Sequence, residues 1–189
     1  MNVLILTGSP HKNGVTALLA DRFAAGACSA GHHVQFFHAA SETVHPCVAC
    51  DHCRTADGVC VFQDSMAALN DQLFAADLVA FVTPLHYFSF SAQLKTVISR
   101  FHANNARLKA QPKQAALLSA CAISERWAME PLSATYGAML RYLNWTDAGQ
   151  VLAVGCPSRS VAEKTEFPIM TYALGQSVGP LNFEGKGQL

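Results

Sequence analysis

The chain carries almost no electrostatic signature. Thirteen Lys and Arg balance thirteen Asp and Glu in 189 residues, and charged residues make up only 14% of the sequence. A surface without a dominant sign does not gather nucleic acid or an anionic membrane, so neither is expected as a partner. Long apolar runs are missing as well. None approaches the roughly 18 residues needed to cross a bilayer. The short apolar start Val3–Leu6 lacks the basic flank of a secretory signal. The expected setting is the cytoplasm. There are no internal repeats and no low-complexity tracts, and the only Gly-rich stretch, Gly179–Leu189, reads as a loosely ordered tail. With no composition shift to mark a boundary, residues 1–189 are expected to form a single domain.

Familiar catalytic signatures are absent too. The chain has no nucleophile elbow, no His-x-x-x-His metal pair and no obvious carboxylate dyad. No Gly-Lys-Ser/Thr closes a nucleoside-triphosphate loop, and the G-x-G-x-x-G spacing that cradles a pyrophosphate does not occur.

What is present is an alternation of short apolar runs with helical periodicity. Asn2–Thr7 is a buried strand stopped by Gly8-Ser9-Pro10. Val15, Leu18, Leu19 and Phe23 follow at helical spacing, with Gly31 placed to close the helix. His33–Phe37 is a second strand. Met66, Leu69 and Leu73 mark a helix with Asp64 as its N-cap. Leu78–Val82 is a third strand, and Leu94, Val97, Ile98 and Phe101 give a helix face after it. Gln114–Ala122, Glu130–Leu143, Gln150–Val154 and Val161–Gly175 then read as strand, helix, strand and helix, with Pro168 near a start or break of the last. Five such alternations predict an α/β parallel sheet covered on both faces. The length favours the flavodoxin-like order 2-1-3-4-5, a three-layer sandwich whose ligand site lies outside the C-terminal ends of strands one and three.

The loops at that switch point carry suitable chemistry. Gly8–Thr16 (GSPHKNGVT) opens onto a helix N-terminus, where free N–H groups, the helix dipole and the Ser9 and Thr16 hydroxyls favour one phosphate. Gly, Ser, Pro and Asn also simply turn a chain. Thr83–Lys95 bunches His86, Tyr87, Phe88 and Phe90, either packing on one another or facing a planar ring system. A monophosphate beside a flat heterocycle describes flavin mononucleotide (FMN).

The stretch Gly8-Ser9-Pro10-His11-Lys12-Asn13-Gly14-Val15-Thr16 resembles the phosphate loop of the NAD(P)H-dependent FMN reductase family. Ala76–Val79 leading to Thr83–Tyr87, then Ser91–Lys95 through Arg100-Phe101, is similar to that family's strand-three signature. The resemblance covers about residues 1 to 101. The cysteine segment followed by Asp64 and Met66 is similar to the branch that includes the iron–sulfur flavoproteins. The resemblance implies FMN as cofactor, NAD(P)H as co-substrate, and a quinone, free flavin or nitroaromatic as acceptor. Phosphate contacts would come from Ser9, Lys12, Asn13 and Thr16, with His11 and Val15 in the same loop. Isoalloxazine contacts would come from Pro84, Leu85, His86, Tyr87 and Phe88. Ser119–Ala122, led by Ser119 and Ala120, would form the third loop, by sheet geometry as much as by family. His11 stands where the family usually has arginine. A homodimer or homotetramer is implied as well. Catalytic side chains are not required, because the cofactor carries the electron chemistry. Glu125, Arg126 and Trp127 could wall the pocket or start a helix.

Four of the seven cysteines, Cys47, Cys50, Cys53 and Cys60, fall within fourteen residues as C-x2-C-x2-C-x6-C. The first three match the runs that wrap one corner of a [4Fe–4S] cluster, whereas structural zinc favours two C-x2-C pairs further apart. The alternative is a thiol-bearing loop without a cluster, near the flavin. Cys28, Cys121 and Cys156 read as small hydrophobes. Three functions follow: a flavin oxidoreductase, a flavodoxin-like electron carrier, and a thiol or iron–sulfur redox sensor. A carrier docks through a strongly acidic surface, and zero net charge disfavours it.

Overall fold

A computed structural model describes residues 1–180; the tail from residue 181 onward lies outside the described residues. Five parallel strands, β1 (Asn2–Thr7), β2 (His33–His38), β3 (Leu78–Pro84), β4 (Gln114–Ala120) and β5 (Thr146–Ala153), form one sheet in the order β2-β1-β3-β4-β5. Side chains alternate between its faces. Val3, Ile5, Leu78 and Ala80 point to one side, against α1 (Val15–Ser29) and α8 (Phe167–Ser177). Leu4, Leu6, Val79 and Phe81 point to the other. There they meet α3 (Met66–Ala75), α4 (Ala92–Arg100), α5 (Asn105–Ala110) and α6 (Glu130–Leu143). Burial on both faces explains why β1, β3 and β4 read as unbroken apolar runs. Among the described residues no helix is long and apolar enough to cross a membrane.

Three expectations need correction. Strand four ends at Ala120, not Ala122, and its N–H ladder then passes to a loop. Strand five begins at Thr146, four residues before the expected Gln150. It is an edge strand, half exposed and bulged opposite Ala115/Ala116, so its first half (TDAGQ) carries no apolar run to announce it. The expected helix Val161–Gly175 is two helices, α7 (Arg159–Ala162) and α8. The break falls before Pro168, which sits in the first turn of α8, where its missing N–H costs nothing. The N-cap position of α3 is Ser65. Asp64 nonetheless accepts the Met66 N–H at 3.1 Å, so its side chain does the capping from one residue earlier. Gly31 follows α1 at φ +81°, as its position suggested.

The helix pair α1/α8 packs backbone to backbone. A Cβ on Gly26 would collide with the Tyr172 carbonyl and lie 2.8 Å from the Gln176 nitrogen. One on Gly175 would collide with the Phe23 carbonyl and lie 3.1 Å from the Ala27 nitrogen. Neither obstacle can move, because both are main chain.

On the opposite face a buried ion pair fixes the cysteine segment. Arg100, the last residue of α4, donates to Asp64 Oδ2 at 2.6 Å and Oδ1 at 3.3 Å, and to the His45 carbonyl at 2.9 Å. Both side chains are almost fully buried, at 3% and 1% exposed. His45 stacks on Phe62 with ring centroids 4.8 Å apart, and the Arg100 guanidinium lies over the same Phe62 ring. The two ends of the loop are thus tied to one helix. Between them a short helix α2 (His52–Thr55) forms. Burial alone would push the Asp64 carboxyl up. The hydrogen bond from Arg100, the N–H groups of His45 and Met66 and the guanidinium charge outweigh it and hold Asp64 below its ordinary value.

Replacing Gly175 with Ala should separate α1 from α8 at a cost of about 1–3 kcal/mol, read as a lowered Tm; an unchanged melt would contradict backbone contact. The native state favours ionised Asp64, so its contribution is full above the ordinary carboxylate pKa and is lost as pH falls through the lowered native one. Asp64→Ala strands a buried guanidinium and should cost roughly 3–5 kcal/mol near neutrality, measured by urea unfolding. The gap to the wild type should close at acid pH.

Candidate functional site

The C-terminal ends of β1, β3, β4 and β5 surround an open cavity of about 360 Å³. Its first wall is the turn Gly8–Gly14 and the start of α1. Gly8 donates its N–H to the Val82 carbonyl at 2.8 Å, and a Cβ there would lie 2.7 Å from the Leu94 Cβ, so only glycine lets the turn sit this close to α4. The turn is folded on itself: Ser9 Oγ accepts the His11 N–H at 3.1 Å, and Gly14 N–H donates to the His11 carbonyl at 3.2 Å. The N-cap of α1, Gly14, offers no side-chain acceptor, and the first turn contains no acidic residue. By contrast, Ser91 caps α4 and Ser158 caps α7 with their own oxygens. The first N–H groups of α1 are thus left for an outside acceptor, and the helix dipole makes an anion the favoured one.

The second wall is the turn after β3. His86 and Ser89 exchange backbone hydrogen bonds at 3.1 Å in both directions, closing a tight hairpin whose two central residues, Tyr87 and Phe88, have φ of +45° and +63°. Such turns favour Asn and Gly, and two aromatics here hold a strained backbone. Pro84, Leu85 and His86 border the cavity, while Tyr87 projects into solvent at 98% exposure. Phe88 leans on Trp127, ring centroids 5.5 Å apart, so Trp127, in the 3-10 turn Arg126–Met129, joins the aromatic rim.

Ser91 locks the two walls together. Its hydroxyl donates to the Gly8 carbonyl at 2.8 Å and its N–H donates to Thr83 Oγ1 at 2.9 Å; Ser91 and Thr83 are wholly buried.

The third wall consists of Ala120, the last residue of β4, with Cys121 and Ala122 beyond it, and the fourth of Cys156–Arg159 beyond β5. Ser119, expected to lead the third loop, is fully buried in β4, and its hydroxyl has no hydrogen-bond partner among the described residues. Of the expected phosphate residues, Ser9, His11, Val15 and Thr16 border the cavity. Lys12 instead borders a neighbouring cleft of about 400 Å³, where Thr7 Oγ1 and His38 Nδ1 lie 2.9 Å apart. Asn13 Oδ1 accepts from Arg159 at 2.8 Å. Arg159 was not foreseen. It lies 146 positions from Asn13 in sequence, and only the turn after β5 brings its guanidinium to the turn Gly8–Gly14.

Cys47, Cys50, Cys53 and Cys60 do not border this cavity. Together with Val61, Phe62, Arg100 and His102 they line a separate small cavity of about 20 Å³ near the C-terminal end of α4. Among the described residues no three His, Cys, Asp or Glu side chains converge on one metal position. The cysteine set is right in kind for an iron–sulfur cluster, but its arrangement does not fit one. For FMN the fit is good. An uncapped helix N-terminus with Arg159 beside it suits a phosphate, and a mostly apolar slot between Pro84-Leu85 and Ala120–Ala122 suits a flat ring.

Known proteins resemble the chain in sequence and in fold. An iron–sulfur flavoprotein of Archaeoglobus fulgidus is 31% identical over 100 residues, which are 53% of this chain and 45% of that protein. One of Methanocaldococcus jannaschii is 28% identical over 100 residues, 53% of this chain and 51% of that protein. The chain thus spans about half the length of these curated relatives. In fold it is similar to an NAD(P)H:quinone oxidoreductase of Methanothermobacter marburgensis, with a TM-score of 0.77 at 17% identity over 100% of this chain and 98% of that one. An azoreductase of Bacillus anthracis gives 0.70 at 20% identity over 94% and 100%. A family model described as NADPH-dependent FMN reductase matches residues 1–155, and the chain belongs to that family.

Proposed function

We propose that the chain binds one FMN in the cavity at the ends of β1, β3, β4 and β5 and transfers reducing equivalents from NAD(P)H to a small acceptor such as a quinone, free flavin or nitroaromatic. The observation that carries this reading is the uncapped, acid-free N-terminus of α1, joined by Arg159 from the far edge of the sheet. FMN, when bound, supplies the hydride and electron chemistry. The chain's own groups bind and orient. The N–H groups of Val15 and Thr16 and the Ser9 and Thr16 hydroxyls donate to the phosphate, and Arg159 adds a guanidinium. Asn13 positions that guanidinium. Pro84, Leu85 and Ala120 hold the ring system flat and exclude water from its inner face. His86, exposed at the mouth, can donate to the ring edge or to the incoming acceptor. No side chain here needs to act as general acid or base.

A second reading, a flavoprotein with a [4Fe–4S] centre on Cys47, Cys50, Cys53 and Cys60, is favoured by one observation: all four thiols border the same small cavity. That loop would have to rearrange to gather them, and no step of the proposed reaction runs through it.

Arg159→Ala should weaken FMN binding about 10- to 100-fold, the worth of a charge-assisted hydrogen bond, while leaving riboflavin affinity unchanged; equal loss for both flavins would remove Arg159 from the phosphate site. Anaerobically purified protein should show flavin absorbance and oxidise NADPH or NADH with a quinone acceptor. No flavin after reconstitution, or no turnover with either nucleotide, overturns the main reading. About four irons and matching sulfide per chain would establish the second.

A further inference from the structure

A second cleft, of about 400 Å³, lies between α1 and the edge strand β2, a size ordinary for a small-ligand site. Ser9, His11 and Thr16 border both this cleft and the proposed flavin cavity, so the two adjoin at the turn after β1. At the turn stand Lys12 and His11. Lys12, expected on the flavin phosphate, borders this cleft instead and makes no ion pair among the described residues. Phe36 and His38, on one face of β2, present stacked rings 5.6 Å apart and 17° from coplanar, and His38 is held by Thr7 Oγ1 at 2.9 Å. Phe36 is only half-buried, because α1 sets nothing larger than Ala17 and Ala20 against this cleft beside it. Asp21 follows on the same helix, about 7.5 Å along its axis from Thr16 at 1.5 Å per residue. The lining thus runs from a cation through a flat aromatic face to a carboxylate. An adenylate group has the matching order: a phosphate, a planar base and an exocyclic amine.

We propose that the site takes a flavin dinucleotide, with the FMN half of FAD in the cavity at the ends of β1, β3, β4 and β5 and its adenylate half in the cleft between α1 and β2. The inference rests on the FMN reading above, since the flavin half sits where that reading puts FMN. In FAD the second phosphate is bonded through one oxygen to the first. A ligand whose first phosphate meets the N–H groups of α1 therefore carries its second at the same turn, the turn that bears Lys12 and His11. The sequence lacks the glycine spacing that cradles a pyrophosphate with backbone alone. Here side chains meet the second phosphate, and no glycine motif announces them. Each phosphate of FAD is a diester with a single negative charge, so Arg159 offers a cation to the first and Lys12 to the second. The adenine covers the open face of Phe36, as bases stack on aromatic side chains, and Asp21 accepts from its amino group.

The test titrates the flavin-free chain with FMN and with FAD, binding being followed by calorimetry. FAD should bind about 10- to 100-fold more tightly than FMN, the worth of one base stacked on an aromatic side chain. Ala17→Leu fills the cleft from a position that does not border the flavin cavity, and Phe36→Leu removes the ring while keeping apolar bulk. Each should bring FAD down to the affinity of FMN and leave FMN unchanged. Unchanged FMN binding also shows that a variant has folded; where one has not, the wild-type ratio and the other variant decide. Equal affinity for the two flavins in the wild type, or a preference for FAD that survives both substitutions, overturns the proposal and leaves the FMN reading intact. So does a loss confined to NADPH, seen as a raised KM of the FMN-loaded variants at unchanged kcat, which gives the cleft to the nicotinamide nucleotide instead. A chain that binds neither flavin overturns both.

Discussion

The site depends on Ser91. One buried residue bonds the carbonyl of Gly8 through its hydroxyl and the hydroxyl of Thr83 through its amide, so the turn after β1 and the turn after β3 are held as a single body. The first is built from glycine, proline and small polar residues, and the second from a hairpin with two aromatic residues at positive φ. Losing the hydroxyl would leave the Gly8 carbonyl buried without a donor, a cost of about 1–3 kcal/mol. That cost falls at the point where the two loops must agree on the width of the cavity. The missing Cβ of Gly8 belongs to the same constraint, since Leu94 occupies the space it would need.

The helix that Ser91 caps also carries the second tether. α4 runs from the site to Arg100, a length of about 13 Å at 1.5 Å per residue, and Arg100 there pins the cysteine loop through Asp64 and the His45 carbonyl. The cavity loops and the sequence-clustered cysteines thus hang from opposite ends of one helix. This separates the thiol-bearing loop from the cavity, beside which the sequence reading had set it. The thiols that border the cavity come instead from β4 and β5, where sequence offered two isolated cysteines.

Much of the fold was legible because most of the sheet is buried on both faces. Runs such as Val3–Leu6 and Leu78–Val82 read as buried strands, five alternations with helices pointed to a parallel sheet, and the chain length favoured the order 2-1-3-4-5 that the sheet has. Where burial is partial the reading failed. β5 lies at an edge, and its first four residues contain one Gly and one Asp bonded to Tyr136 and Gln150, so no apolar run marked its start. The site was legible to the extent that it is local: Ser9–Thr16 opens a helix, and Pro84–His86 ends a strand. Arg159, Cys121 and Cys156 became visible only through long-range pairing of loops. The one available cue for Arg159 was the missing arginine at His11, which asks for a cation from elsewhere. Ser119 shows the converse case, since a residue second from the end of β4 is still buried in the sheet and does not border the cavity.

What the walls leave out bears on what the protein can select. Pro84, Leu85, Ala120 and Ala122 present no charge to the slot, Arg159 is engaged by Asn13 and Glu163 near the start of α1, and His86 lies at the turn after β3. An acceptor in such a slot is chosen by flatness and apolar contact more than by charge, because a neutral wall gives a buried charge nothing to offset its desolvation. The same neutrality extends over the chain, whose charges sum to zero. An electron carrier that docks on other proteins gains its rate from a strong field of one sign, which a zero net charge does not supply. A small planar acceptor needs no such field, only a slot of fixed width, and Ser91 sets that width.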